Sequence, residues 1–202
     1  MKKVITEFTG TFFLVMGAAL GGAIGAALAL MVMIYAGGHI SGAHYNPAVS
    51  LAVWIRGKLS IGDMIGYWMS QLAGAILAAI FVANIFSTEG TSGCQVPDDG
   101  IIQGLVAELI GTFALAYVML NVATAKGTAG NSFYGIAIGG TVLAMATVIG
   151  KFSGGAYNPA VAVGLSIQKT FCWSQLWIYV AGCFSGGALA AVVFRMNNPD
   201  DK

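Results

Sequence analysis

Long apolar stretches separated by short polar breaks dominate the chain. Six stretches have the length of membrane-spanning helices: about Val4 to Leu20, Ala23 to Gly38, Met64 to Phe86, Ile101 to Ala123, Phe133 to Ile149 and Gln175 to Phe194. Two further pieces, Ala48 to Ile55 and Ala160 to Ile167, are too short, since a hydrocarbon core of about 30 Å needs around 20 helical residues. The pattern predicts an all-α membrane protein with six transmembrane helices and two half-helices that enter from a surface and stop.

The basic residues favour one orientation of these six crossings. With the N-terminus inside, seven basic residues fall inside and two fall outside. The inner set is Lys2, Lys3, Arg56, Lys58, Lys126, Arg195 and Lys202, and the outer set is Lys151 and Lys169. This excess predicts that both termini are cytoplasmic. An acidic loop with Glu89, Asp98 and Asp99 falls outside, which adds little because acidic residues count weakly in this rule.

Composition supports the membrane assignment. With 57% apolar and only 8% charged residues, the 202-residue chain cannot cover a soluble domain with polar surface. A net charge of +1 argues against nucleic acid as a partner. We therefore expect an integral protein of the cell or inner membrane, in contact with the lipid bilayer.

The three cysteines, Cys94, Cys172 and Cys183, have neither the close spacing of a metal site nor the even number of a disulfide framework. We interpret them as small apolar fillers or loop thiols. The sequence predicts no metal, no cofactor and no catalytic residue.

The two halves of the chain repeat each other. Residues 7–12 (EFTGTF) recur as residues 108–113 (ELIGTF), and residues 41–49 (SGAHYNPAV) recur as residues 153–161 (SGGAYNPAV) with seven of nine positions identical. Each half holds three spans and one short piece, so the second copy is inverted in the membrane. The repeat predicts two units, 1–98 and 99–202, in one integral channel domain, with a shared site near the midplane where the half-helices meet.

The repeated Asn-Pro-Ala motif has the chemistry of a helix start. Asparagine is a favoured N-cap, and proline suits the first helical position. Two opposed starts would each carry about half a positive charge and repel cations, while the asparagine amides would donate to a passing oxygen and interrupt a proton-conducting water chain. The glycines before the motifs suit extended backbone whose carbonyls face a cavity. The motif residues are Asn46, Pro47, Ala48, Asn158, Pro159 and Ala160, and the glycines are Gly42, Gly154 and Gly155.

These paired motifs, the two Glu-x-x-Gly-Thr-Phe openings and the Gly-His-Ile-Ser-Gly run at 38–42 resemble the aquaporin and aquaglyceroporin family, also called the major intrinsic proteins. The resemblance covers nearly the whole chain. It implies a right-handed bundle of six helices with two re-entrant half-helices, and a homotetramer with one pore per subunit. It also implies a passive channel for water and small neutral solutes such as glycerol, urea or ammonia, which is not an enzyme.

The same resemblance implies that main-chain carbonyls line the pore and that Glu7 and Glu108 brace the re-entrant loops. The carbonyls belong to Gly42, Ala43, His44, Tyr45, Gly154, Gly155, Ala156 and Tyr157. An alternative is an ion- or proton-coupled carrier in which the two carboxylates relay protons. Their symmetric placement favours the structural role. A third alternative is a non-conducting structural membrane protein.

The usual selectivity filter is altered. Most family members place an arginine three residues after the second motif asparagine, whereas this chain has Val161. Ungapped counting gives Ala26, Ala146 and Gly155 as the other filter positions. We expect a wide, apolar filter, with ion rejection left mainly to the two helix starts.

Further residues have a structural interpretation. We expect His39 and His44 to pack and hydrogen-bond to loop backbone rather than to form a pH-sensing pair. Small residues in the third and last spans predict close helix contacts: Gly66, Ala73, Gly74, Ala78, Gly182, Gly186, Gly187 and Ala190.

The first half is short. Glu7 and Asn46 are 39 positions apart, whereas Glu108 and Asn158 are 50 apart. Two spans of 16 or 17 residues would each reach only about 25 Å, less than the hydrocarbon core. Either Gly21-Gly22 forms a minimal turn between two thin helices, or residues are missing from this stretch.

Overall fold

The computed structural model describes residues 1–86 and 93–201, and over these residues it is α-helical without β-strands. The helices are α1 Lys2–Ser41, α2 Pro47–Ile55, α3 Ile61–Ile85, α4 Ile101–Ala123, α5 Tyr134–Ile149, α6 Pro159–Ile167 and α7 Leu176–Asn197. They confirm the predicted spans to within a few residues, and both short helices begin at a motif proline. Glu89 and Lys202, predicted on the outer and inner sides, lie outside the described residues.

Helix α1 is a hairpin of two transmembrane arms. At Gly22 the backbone leaves the helical region, with φ 55° and ψ −143°. A Cβ on Gly17 would lie 2.6 Å from the carbonyl oxygen of Gly25, so these residues, eight positions apart, pack backbone to backbone. In a straight helix they would be about 12 Å apart. Gly21-Gly22 therefore forms the minimal turn that the sequence allowed.

The predicted thinness of these arms is wrong. Residues 2–21 and 23–41 give arms of about 20 residues, which reach about 30 Å. The extra length comes from residues at both ends of the predicted spans, including Lys2, Lys3 and 39–41. Each arm is therefore long enough to cross the hydrocarbon core.

Helices pack closely at several of the small residues that the sequence analysis singled out. A Cβ on Gly182 in α7 would lie 2.9 Å from the carbonyl oxygen of Leu105 in α4. On α3, Gly74 meets the backbone of Phe8 in the same way, whereas Gly66 has only ordinary contact with Val4. The first arm of α1 therefore packs on α3 as α4 packs on α7.

Within the described residues, five helices are long and apolar enough to cross a membrane, and because α1 folds back on itself these five helices give six crossings. Many large apolar side chains point away from the bundle: Ile24, Ile65, Met69, Ile102, Ile136 and Trp177 are each more than half exposed. A soluble protein rarely exposes so much apolar surface, whereas lipid solvates it.

Candidate pore

The two motif asparagines cap the two short helices with the same geometry. Asn46 Oδ1 accepts from the amides of Ala48 at 2.9 Å and Val49 at 3.4 Å. Asn158 Oδ1 accepts from Ala160 at 2.9 Å and Val161 at 3.5 Å. Pro47 and Pro159 occupy the first helical positions, and Ala48 and Ala160 are fully buried. The predicted helix starts are confirmed.

Each asparagine also reaches across to the opposite loop. Asn46 Nδ2 donates to the carbonyl oxygen of Tyr157 at 2.8 Å, and Asn158 Nδ2 donates to that of Tyr45 at 2.9 Å. One N–H of each amide is thereby engaged, and a second N–H remains on each. Both asparagines line one cavity, so the helix starts face a common lumen.

The loops that precede the asparagines are not extended, and that expectation is wrong. Gly42, Gly154 and Gly155 have φ of 87°, 86° and 70°, and Tyr45 and Tyr157 have φ of 50° and 49°. These are left-handed conformations, favoured by glycine, which turn the chain sharply. The loop must reverse direction within a few residues before the half-helix begins, and extended backbone cannot do that.

The eight predicted carbonyl residues divide into two groups. Tyr45 and Tyr157 are fully buried, and the opposing asparagines occupy their carbonyl oxygens. The other residues line the cavities described below: Gly42, Ala43, His44, Gly154, Gly155 and Ala156.

Glu7 is fully buried and accepts four hydrogen bonds from the first loop and α3. Its Oε1 accepts from Ser41 Oγ at 2.6 Å and from the His44 amide at 3.0 Å. Its Oε2 accepts from the Tyr45 amide at 2.7 Å and from Gln71 Nε2 at 2.8 Å. The carboxylate therefore holds the loop at the turn before Asn46.

Glu108 makes the matching set in the second half. Its Oε1 accepts from Ser153 Oγ at 2.7 Å and from the Ala156 amide at 3.0 Å. Its Oε2 accepts from the Tyr157 amide at 2.7 Å and from Cys183 Sγ at 3.4 Å. Cys183 therefore acts as a donor to the brace and is more than the apolar filler that the sequence suggested.

The four predicted filter residues surround one cavity of about 190 Å³, which we call the filter cavity. Ala26, Ala146, Gly155 and Val161 line it together with both motif asparagines. Among the described residues that line this cavity, none is Asp, Glu, Lys or Arg. The lumen is therefore apolar with isolated neutral polar groups.

A second cavity of about 870 Å³, the basic vestibule, is lined by Lys3, Lys58 and Lys126, and also by Asp63, which pairs with Lys3 at 3.1 Å. It shares four lining residues with the filter cavity: Ile34, His44, Met119 and Ile138. The two cavities therefore adjoin at these four residues.

The two histidines both lie in the walls of the cavities. His44 is 5% exposed, its Nδ1 lies 3.0 Å from Ser50 Oγ, and the residue also lines both cavities. His39 lines the basic vestibule. The prediction of packing and hydrogen bonding holds for His44, which also lies where its main-chain carbonyl was expected to line the pore.

The interpretation of the cysteines as unpaired is wrong for two of them. Cys94 and Cys172 form a disulfide with a Cα–Cα distance of 4.9 Å. It ties the segment before α4 to the loop after α6, and the adjoining Gln95, Thr170 and Phe171 line the filter cavity. The predicted topology held the missing signal, since it places Cys94 and Cys172 on one side of the membrane and Cys183 inside a span.

Comparison with known proteins agrees with this architecture. The family model described as Major intrinsic protein matches residues 1–194. The Glycerol uptake facilitator protein-like 6 of Lactiplantibacillus plantarum is 34% identical over the full length of both chains. Aquaporin AqpM of Methanothermobacter thermautotrophicus is 35% identical over 96% of each chain, and Aquaporin NIP1-1 of Zea mays is 35% identical over 97% of this chain and 74% of its own.

The fold has a solved counterpart. The X-ray structure of the aquaglyceroporin from Plasmodium falciparum superposes with a TM-score of 0.78, covering 96% of this chain and 94% of its own, at 22% identity. That likeness shows the fold. Together with the family match over residues 1–194, the relatives show that the chain is an integral membrane protein of the major intrinsic protein family, whose members are channels and not enzymes.

Proposed function

We propose that this chain is a passive channel that conducts water and small neutral solutes, such as glycerol, urea or ammonia, and excludes ions. The observation that carries the proposal is the pair of capped helix starts, at Asn46 and Asn158, that open onto one lumen. The spare amide N–H of each asparagine donates to a passing oxygen. A water molecule held by this bond is oriented so that it does not continue the chain of hydrogen-bonded waters along the pore. Protons therefore cannot hop along that chain.

Ion exclusion in this proposal rests on the helix termini. Each half-helix start carries about half a positive charge, and two of them raise the electrostatic energy of a cation at the midplane. The filter cavity adds no basic side chain from the described residues that line it. Desolvation in an apolar lumen opposes ions of either sign.

The solute range follows from the side chains at the filter positions. Ala26, Ala146 and Gly155 are small, and Val161 stands where an arginine would narrow the passage. A wide lumen with apolar walls admits solutes larger than water, provided that they are neutral and carry few polar groups. We therefore propose that selection by size is weak and selection against charge is strong.

Stopped-flow light scattering on proteoliposomes tests the proposal. We expect osmotic water flux and glycerol, urea and ammonia fluxes above those of empty vesicles, and no added proton or Na⁺ conductance. Fluxes equal to those of empty vesicles for every solute would contradict conduction. A non-conducting role would then remain.

The coupled-carrier alternative assigns Glu7 and Glu108 a proton relay. Four hydrogen bonds hold each of these fully buried carboxylates, and a relay would have to break them at every cycle. Uptake under an imposed proton gradient separates the two functions. A channel fills vesicles only to equilibrium, whereas accumulation beyond equilibrium would establish the carrier.

We propose that both termini are cytoplasmic and that residues 1–98 and 99–202 are inverted copies within one channel domain. Basic residues gather at one end of the bundle, where Lys3, Lys58 and Lys126 line the vestibule. The disulfide belongs to the other end, and disulfides persist on the oxidising side of a membrane. Labelling of single cysteines in intact cells with an impermeant reagent tests this orientation.

We also propose a homotetramer with one pore per subunit. An exposed apolar groove on α1 supports contact with a neighbouring subunit, since small residues let helix backbones approach in lipid. The groove combines the small residues Gly17, Gly21, Gly25 and Ala29 with larger apolar side chains such as Phe13. Native mass spectrometry in mild detergent tests the assembly, and a monomer under conditions that preserve activity would contradict it.

A further inference from the structure

The carboxylate of Asp201 lies in a site that binds both of its oxygens. Oδ1 accepts from Arg56 Nη2 at 2.7 Å, and Oδ2 accepts from the main-chain N–H of Lys126 at 2.8 Å. The Arg56 side chain is 1% exposed, and a cation buried to this degree needs an anionic partner because an unpaired charge in the interior is costly. The contact is therefore a built anion site and differs from an exposed ion pair.

Arg56 has a donor that Asp201 does not use. Its Nη2 donates to Asp201 and, at 3.4 Å, to the carbonyl oxygen of Thr124. Its buried Nε has no hydrogen-bond partner among the described residues. Nε and Nη2 share one edge of the planar guanidinium, and such an edge binds carboxylates and phosphates through two parallel hydrogen bonds.

A phosphate monoester matches this donor set better than a carboxylate does. A carboxylate has two oxygens, and both oxygens of Asp201 already accept hydrogen bonds. A phosphate monoester has three free oxygens. It therefore supplies one acceptor each for Nη2, Nε and the Lys126 N–H, through the fork that arginine uses for phosphate.

Two further basic side chains lie beside the site. Lys126 Nζ donates to the carbonyl oxygen of Asp200 at 3.3 Å, and Arg195 Nη1 lies 3.5 Å from the carbonyl oxygen of Ile55, the residue before Arg56. Lys126 also lines the basic vestibule, so the site lies beside that entrance to the lumen. The neighbouring acidic residue, Asp200, belongs to the same short segment as Asp201, so displacement of this segment removes both negative charges.

We propose that Arg56 and the Lys126 N–H form a binding site for a phosphate group with three or more free oxygens, either inorganic phosphate or the headgroup of a phosphomonoester lipid. Asp201 is a tethered carboxylate that occupies the site when no phosphate is bound. Phosphate displaces the C-terminal segment, residues 197–201, from the bundle. This inference goes beyond the proposed channel function, and its tests do not depend on conduction.

The first test measures hydrogen exchange of the purified protein in neutral detergent, with phosphate replacing chloride at constant ionic strength and neutral pH. The tether gives Asp201 an effective concentration on the order of millimolar, so release requires phosphate well above this concentration. We expect the protection factors of residues 197–201 to fall and to reach a plateau, while those of the preceding part of α7 stay constant. An equal fall in chloride, or no fall in phosphate, would overturn the proposal.

The second test measures the binding of inorganic phosphate directly, by equilibrium dialysis. Asp201→Asn removes the competing carboxylate, so we expect phosphate to bind about tenfold more tightly than to the parent protein. Asp200→Asn is the matched control, because it removes the same charge next to the site and should change the affinity by less than about twofold. Equal affinities for the parent and Asp201→Asn would show that Asp201 does not occupy a phosphate site.

The role of the arginine fork is tested in the Asp201→Asn background. Arg56→Lys keeps the charge but removes the fork, so phosphate should bind at least about tenfold more weakly. Arg195→Lys, which makes the same change outside the site, should have little effect. Equal weakening by both changes would contradict the assignment to Arg56, and the exchange experiment on the parent protein decides the proposal if a variant does not fold.

Nanodiscs distinguish the two sources of the phosphate group. We compare discs that contain phosphatidic acid, a phosphomonoester, with discs that contain phosphatidylglycerol, an anionic diester with two free oxygens. Release of residues 197–201 by phosphatidic acid alone would identify a lipid headgroup, and release only by added inorganic phosphate would identify a soluble ligand. Release by neither, or equal release by both lipids, would overturn the proposal.

Discussion

The amide nitrogen of Asn46 donates a 2.8 Å hydrogen bond to the carbonyl oxygen of Tyr157, which lies 111 positions further along the chain. Asn158 returns the same bond to Tyr45. Each asparagine therefore caps its own half-helix with its oxygen and ties down the opposite loop with its nitrogen. The pore and the joint between the two halves are built from the same two side chains.

Asn46→Asp should separate these two tasks. The carboxylate still caps α2, but an oxygen replaces the Nδ2 donor and faces the Tyr157 carbonyl. We expect a loss of about 1–3 kcal/mol in stability, because a hydrogen bond is lost and like partial charges approach. Thermal unfolding in detergent measures the loss, and stopped-flow scattering should show reduced water flux. Asn84→Asp is the control on an exposed part of α3. Its Nδ2 donates to the carbonyl oxygen of Ile80 at 2.7 Å, but water replaces that bond at an exposed position, so the loss of stability should be smaller than for Asn46→Asp.

Glu108→Gln should destabilise the protein but should not abolish passive water flux. The new NH₂ group must face at least one of the donors that now bind Glu108. Leaving such groups unpaired in the interior costs about 1–3 kcal/mol each. A lower unfolding temperature, with passive water flux retained in the folded fraction, is the expected result. Retained stability would show that the brace is dispensable.

Val161→Arg should narrow the filter. Val161 is 4% exposed and lines a cavity of about 190 Å³, so an arginine there occupies much of the lumen and adds a positive charge. We expect glycerol flux to fall at least tenfold while water still passes. Val161→Leu is the control that adds volume without charge and should lower glycerol flux much less. Equal glycerol flux in all three proteins would place the constriction elsewhere.

Gly187→Ala should disturb the packing of α7 against the first turn of α2. A Cβ there would lie 2.6 Å from the carbonyl oxygen of Ala48, and backbone cannot yield as a flexible side chain can. We expect a destabilisation of about 1–3 kcal/mol and reduced water flux. Gly66→Ala is the matched control, because its Cβ would meet only Val4 at 3.6 Å. It should be neutral or slightly stabilising, since alanine favours a helix more than glycine does.

The C-terminal segment should stay docked at neutral pH and be released in acid. Asp201 accepts from the Lys126 amide at 2.8 Å and from Arg56 at 2.7 Å, and these bonds hold its pKa below its usual value of 3.8. A lowered pKa stabilises docking above the usual value, and this contribution is lost as pH falls through the folded-state pKa. The hydrogen-exchange protection factors of residues 197–201, which compare each rate with that of an unfolded peptide at the same pH, should therefore be constant from about pH 8 to 5 and fall below about pH 4.

A matched pair of variants checks the source of this pH dependence. Asp201→Asn should increase exchange in the C-terminal segment at neutral pH, because Arg56, whose side chain is 1% exposed, loses its charged partner. Asp200→Asn alters the exposed neighbouring side chain and should leave exchange unchanged. Equal behaviour of the two variants would contradict the role assigned to Asp201.

Local chemistry was enough to predict the spans and the helix starts. An apolar segment of about 20 residues with few charges is stable in lipid only as a helix, because no water is present to satisfy its backbone. Asn46-Pro47 and Asn158-Pro159 carry their own capping groups, so α2 and α6 begin where the sequence predicts. Repetition of residues 41–49 at 153–161 then indicated that the two starts belong to one site.

Other features were decided only by the tertiary structure, because they depend on how the loops pack and not on local preference. The predicted topology places Cys94 and Cys172 on one side of the membrane, but only the packed loops bring them into contact across 78 positions. The sequence also could not show that Asp201 reaches Arg56 across 145 positions. Nor could it show that the carbonyl oxygens of Tyr45 and Tyr157 accept hydrogen bonds from the opposing asparagines. The start of a helix is determined by residues that are neighbours in the sequence. A contact between distant loops forms only when the packed helices fix the distance between those loops and their relative orientation.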